Sequence, residues 1–114
     1  MGVRIKPGAT VISRIPCSAN GTWLLDVRDQ DEWDRGHAPS AHLVPLSELA
    51  ARVAEIPTDQ QVLVVCLAGS RSLRAATALA ESGVDAVTVS GGMLAWSTAN
   101  GPLVSAGADA ARIE

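Results

Sequence analysis

The chain has 114 residues, within the range of a single domain, and 47% of them are apolar although only three, all tryptophan, are aromatic. Its core must therefore be built from Val, Leu, Ile and Ala. The formal net charge of −3 and the scatter of the nine basic residues exclude the basic stripe of a nucleic-acid binder, and no apolar run approaches the roughly 20 residues that cross a bilayer.

The amino-terminal MGVRIKPG lacks the apolar segment of a secretory signal, so a soluble cytoplasmic protein is expected. The two cysteines are too few for a disulfide framework, which fits a reducing compartment. Apolar, strand-like runs alternate with helical patterns along the chain, the signature of βαβ units and a parallel sheet. Ala9–Ile15 (ATVISRI) is a weak first strand, followed by the loop-like PCSANG that carries Cys17. TWLLDV, residues 22–27, is the first clear strand. DQDEWDRG then predicts a short helix with Asp29 as N-cap, Glu32 three residues on and Gly36 as its stop. AHLVPL reads as a strand, and LSELAARVAEIP as a helix capped by Ser47 and halted before Pro57. VLVVC, residues 62–66, is the most apolar strand. The helix after it, from about Ser72 to Ser82, places Leu73, Ala76, Leu79 and Ala80 on one face, with Gly83 free to take the left-handed terminal conformation. AVTVS is the last strand, and a final helix follows Gly91–Gly92 and ends near Asn100–Gly101–Pro102. Residues 1–104 form one domain on this reading, and 105–114 a flexible tail without regular structure.

The stretch CLAGSRS, Cys66 through Ser72, places a thiol where a buried strand runs out and a helix begins. In open parallel sheets ligands gather beyond the carboxyl ends of the strands, so this is a site position. A loop of small residues lets successive backbone N–H groups turn inward, and the helix N-terminus adds its positive dipole end, so the loop favours an anion. Gly69 supplies the conformational freedom such a turn needs. Arg71 at the rim and the helix start favour the thiolate form of Cys66. Free cysteines are mostly buried small hydrophobes, but packing alone gives no reason for loop, glycine, arginine and helix to arrive together. Cys17 has no such surroundings and is read as structural.

Loop length separates two chemistries. Common cysteine phosphatases need five residues between Cys and Arg to wrap three phosphate oxygens; here Leu67, Ala68, Gly69 and Ser70 are the only residues between Cys66 and Arg71. A tighter ring suits a single exposed sulfur whose negative charge is stabilised by amides.

With these motifs in place, the sequence resembles the rhodanese-like sulfurtransferases over roughly Thr22 to Val104. LLDVRDQDEWDRGHAPSAHLVPLSEL is similar to the family's first signature, CLAGSRS to its active-site loop, and VSGGMLAWSTANGPLV to its closing Gly-Gly and tryptophan segment. The family's Gly-Ala is Ser40–Ala41 here, and the second loop position, often basic or polar in thiosulfate users, is Leu67. The resemblance implies an α/β domain with a central parallel sheet of about five strands and helices on both faces. It implies that Cys66 carries a persulfide, that Leu67, Ala68, Gly69, Ser70, Arg71 and Ser72 form the substrate loop, and that Asp26 and Arg28 pair to hold neighbouring loops. His37 is read as a structural residue before a general base, and Trp33 and Trp96 as core aromatics. The partners implied are a small-molecule sulfur donor such as thiosulfate and a thiol, cyanide or protein acceptor, with no nucleic acid and no membrane. No cofactor and no metal are implied, since the histidines and cysteines lack ligand spacing. A persulfide-sensing or protein-binding module without catalysis, a phosphatase or arsenate reductase on the same scaffold, and a purely structural domain are the alternatives.

Overall fold

A computed structural model describes residues 22–89, 91–107 and 110–113. Among the described residues four strands form one sheet in the order β2-β1-β3-β4: β1 is Thr22–Asp26, β2 His42–Leu43, β3 Gln61–Val65 and β4 Ala86–Thr88. Every pairing is parallel, with Asp26 opposite Leu43 on one side and Val65 on the other. The weak strand at residues 9–15 and Cys17 lie outside the described residues.

Parallel strands need crossover connections, and here helices supply them. Alternation along each strand then splits the core into two layers. Leu25, Val62 and Val64 face one way, packing with Leu49 of α2 (Leu49–Arg52) and with Ala75, Ala76 and Leu79 of α3 (Ser70–Glu81). Leu24, Leu63, Val65 and Val87 face the other way, against Met93 and Trp96 of α4 (Gly92–Thr98). Helices therefore cover both faces, which is why the strands are nearly continuous in Val and Leu. Among the described residues no helix is long and apolar enough to cross a membrane.

The first helix, α1 (Gln30–Arg35), starts as the sequence predicts. Asp29 and Glu32 form a capping box, and Gly36 follows as C-cap. It buries no residue, so Trp33 is half-buried and stacked on His37, with ring centroids 3.6 Å apart, instead of lying in the core. The continuous helix expected over LSELAARVAEIP is broken into a 3-10 turn at Leu46–Glu48, the single turn α2, and a second 3-10 turn at Val53–Glu55. Ser47 does not cap it; the segment begins after Pro45, whose backbone is extended. Arg52 bridges Glu48 at 2.9 Å and Glu55 at 3.0 Å, tying the irregular turns together.

Helix α3 begins two residues earlier than predicted, and its buried stripe is Ser72, Ala75, Ala76, Leu79 and Ala80. Leu73, expected inward, is 36% exposed. The loop before the helix fixes its rotation, because the Ser72 hydroxyl donates to the Gly69 carbonyl at 3.1 Å and so turns Ser72 inward. Gly83 takes the left-handed conformation anticipated for it, with φ +88°.

Residues 105–107 and 110–113 form no regular element, yet they lie along α1. Val104 and His37 exchange backbone hydrogen bonds, Ala106 N–H donates to Asp34 O at 3.0 Å, and Arg112 N–H to Arg35 O at 2.9 Å. Any side chain at Gly36 would meet the backbone of Arg112, which accounts for glycine there.

Candidate active site

The end of β3 delivers Cys66, 1% exposed, to the loop that opens α3. The Gly69 N–H donates to the Cys66 Sγ at 3.0 Å. Cys66 also packs in the core layer beneath α3, and the amide contact is what it has beyond packing. Gly69, the N-cap of α3, adopts φ +121°, a conformation that side-chain-bearing residues rarely take.

The remaining loop peptides are oriented from the far side. Met93 N–H donates to Cys66 O at 2.8 Å, and Leu94 N–H to Leu67 O at 3.0 Å. The loop carbonyls are thus held by the first turn of α4. In a trans peptide the N–H points opposite to the carbonyl, so the amides of Leu67 and Ala68 face away from α4. This close approach depends on Gly92. A Cβ there would fall on Cys66 O and within 2.7 Å of Leu67 O, and Gly91 and Gly92 take φ +78° and +55° in making the turn.

A chain of charges runs from the core to the loop. Asp26 and Arg28 are both fully buried and paired in a fork: Nη2 donates to Oδ2 at 2.8 Å, and Nε to Oδ1 at 3.0 Å. Arg28 Nη2 also donates to Gly36 O at 2.8 Å, tying the end of β1 to the end of α1. On α1, Glu32 accepts both terminal nitrogens of Arg71, at 2.8 and 3.0 Å, across 39 residues of sequence. Glu32 also accepts the Asp29 N–H at 2.9 Å. Hydrogen bonding from Arg71, against the cost of burial, holds the Glu32 carboxyl below the usual carboxylate range, helped by the Asp29 amide and the charges of Arg71 and Arg28. Glu32 raises the pKa of Arg71 in turn, with smaller electrostatic help from Cys66 and Asp29; Arg71 stands in the first turn of α3, two residues after the Gly69 whose N–H meets the sulfur.

The residues singled out in the sequence are thus distributed as follows. Cys66 to Gly69 form the loop, and Ser70, Arg71 and Ser72 the first turn of α3; Ala68 and Ser70 are exposed and Leu67 is half-buried. Asp26 and Arg28 sit at the carboxyl end of the neighbouring strand. His37 is turned the other way: its Nδ1 lies 2.8 Å from Trp33 O and its ring stacks on Trp33. In the sequence Glu32 reads only as a capping residue, and the α4 amides carry no signal of their own. The long separation between Glu32 and Arg71 leaves no local signal.

A model of the rhodanese-like domain matches residues 13–99. The chain belongs to the rhodanese-like domain family. A sulfurtransferase of Allochromatium vinosum is 34% identical over 83 residues, covering 72% of this chain and 78% of that one. A probable adenylyltransferase/sulfurtransferase, MoeZ, of Mycobacterium tuberculosis is 40% identical over 76 residues; the match takes 64% of this chain and spans about a fifth (19%) of that relative's length. Among solved structures, a rhodanese-related protein from Thermoplasma volcanium superposes with a TM-score of 0.71 at 31% identity, covering 74% of this chain and 84% of that one. The α/β architecture expected from the resemblance, with a parallel sheet covered on both faces, is the architecture of this rhodanese-like domain.

Proposed function

We propose that this rhodanese-like domain is a sulfurtransferase that moves a sulfane sulfur from a donor such as thiosulfate to a thiophilic acceptor through a persulfide on Cys66. The observation that carries the reading is the Gly69 N–H on the Cys66 sulfur, in a loop whose first two carbonyls, those of Cys66 and Leu67, are taken by α4. Amides aimed at a sulfur stabilise negative charge on it and need no reorganisation when that charge develops. The Cys66 thiolate attacks the outer sulfur of thiosulfate, the S–S bond breaks, and sulfite leaves with its electron pair. The persulfide then passes its outer sulfur to cyanide, a small thiol or a thiol on a partner protein, and the Cys66 thiolate returns.

The loop from Leu67 to Ser72 is the substrate cradle on this reading. Arg71, paired with Glu32, stands in the first turn of α3 beside the loop, and Ser72 fixes the turn through Gly69. Asp26, Arg28 and His37 hold the surrounding segments and take no part in bond making. The compartment that suits a free nucleophilic thiol is the cytoplasm.

The test is sulfur transfer from thiosulfate to cyanide by the purified chain. Cys66→Ala and Cys66→Ser should abolish it with the melting temperature retained. Full activity in either variant overturns the proposal. Inactivity of the unaltered chain with every sulfane donor favours a binding module instead.

A further inference from the structure

We propose that Glu32 is a donor-selectivity residue: by occupying both ends of the Arg71 guanidinium it leaves the sulfur cradle without a net cation, so that the domain takes sulfur from a low-charge persulfide in preference to dianionic thiosulfate. This rests on the sulfurtransferase reading above and adds the class of donor.

Arg71 is the one cation of the loop itself, and both of its terminal nitrogens are committed to the Glu32 carboxylate at 2.8 and 3.0 Å. Two charges in such a fork appear from a few ångströms away as a dipole with no net charge. The other groups around them do not restore a positive field. Asp29 contributes a second carboxylate acting on Arg71. Arg28, which also acts on Glu32, is itself neutralised by Asp26 in the core. Arg74, on the next turn of α3, is exposed, where water and salt screen its charge. The rim offers Leu67 and Ala68, which cannot hold an anion by their side chains.

A sulfonate brought beside Cys66 therefore meets backbone amides, a paired guanidinium and two carboxylates. Thiosulfate brings an anionic sulfonate, which must sit in the loop mouth when the outer sulfur is attacked. A persulfide of a neutral thiol places an uncharged carbon group there. In both cases the Cys66 thiolate forms the new S–S bond while the donor's own S–S bond breaks. Sulfite leaves in the first case; in the second a thiolate leaves, and the proton of the donor stays on the Cys66 persulfide. The electron count is the same, so the difference lies in the charge that must enter.

The experiment measures kcat/KM for loading Cys66 with thiosulfate and with the persulfide of 2-mercaptoethanol, in the unaltered chain and in Glu32→Gln. Glutamine keeps the length of the side chain and an oxygen for the Asp29 N–H while removing the charge. The ratio of thiosulfate to neutral-donor kcat/KM should rise at least tenfold in the variant, the size expected for one unit charge acting on another as far as roughly 12 Å away at an effective dielectric constant near 20. A rate that falls for both donors with the ratio unchanged overturns the proposal and makes Glu32 only a holder of Arg71. If the variant does not fold, the unaltered chain still decides: kcat/KM for the neutral-thiol persulfide should exceed that for thiosulfate, and a higher value for thiosulfate overturns the proposal. Loading by neither donor overturns this proposal together with the sulfurtransferase reading; loading by both with the wrong ratio overturns the selectivity alone.

Discussion

Replacing Gly92 with alanine tests whether α4 sets the geometry of the sulfur loop. The added methyl would fall on Cys66 O and lie 2.7 Å from Leu67 O and 2.9 Å from Leu67 C. These are backbone atoms at the end of a buried strand, so no flexible side chain can give way. Restoring an ordinary contact needs a separation of roughly 1 Å between α4 and the loop, and a displacement of that size at a reacting centre can cost a hundredfold in rate. The φ of +55° adds about 1–2 kcal/mol for any L side chain. The Met93–Cys66 and Leu94–Leu67 hydrogen bonds, at 2.8 and 3.0 Å, would stretch together. The loop would lose the support that turns its amides away from α4. The expected outcome is a folded protein with a modestly lower melting temperature and a kcat/KM for sulfur transfer reduced about a hundredfold. The two readouts are measured on the same preparation by thermal melting and the thiosulfate–cyanide assay. Activity within threefold of the unaltered chain at a reduced melting temperature would refute the claim that α4 positions the loop.

Arg71→Ala strands the Glu32 carboxylate, 13% exposed, without its partner. It should cost about 1–2 kcal/mol in urea unfolding, the lower value if the 30% exposed guanidinium is already well screened, and tens of fold in kcat/KM for thiosulfate; an unchanged kcat/KM removes Arg71 from the site. Asp26→Asn leaves the Arg28 cation in the core with its carboxylate gone, and should cost about 3–5 kcal/mol; a melting temperature within about 3 °C of the original would show the pair to be dispensable. Because the folded-state pKa of Glu32 lies below its unfolded value, its contribution to stability is present above the usual carboxylate range and is lost as pH falls through it. The stability gap between the unaltered chain and Glu32→Gln should close on acidification from neutral pH, and a gap of constant size would contradict the pairing.

Much of this architecture was legible because local signals agreed with the tertiary result. Continuous apolar runs located β1 and β3, the capping box located α1, and Gly83 and Gly91–Gly92 marked the turns they make. The thiol-bearing loop was found by the same means, since strand end, small residues and helix start are contiguous in sequence. What sequence missed depends on contacts between distant segments. The helix expected between Ser47 and Pro57 ignores Pro45, after which the segment opens as a 3-10 turn. Leu73 was placed inward by helical spacing alone, whereas the hydrogen bond of Ser72 to Gly69 sets the rotation of α3. Arg71 was read as a rim cation awaiting an anion, and the structure puts Glu32 on it from another helix. Trp33 was assigned to the core because it is large and apolar; its partner is the ring of His37 on a helix that buries nothing.

The most direct test of the central claim is the intact mass of the protein after brief treatment with a sulfane donor under otherwise reducing-free conditions. A Cys66 persulfide predicts the addition of one sulfur atom, confined to the peptide that contains Cys66, removed by cyanide and absent in Cys66→Ser. An addition that persists in Cys66→Ser, or that maps to Cys17, would contradict the assignment of Cys66 as the sulfur carrier.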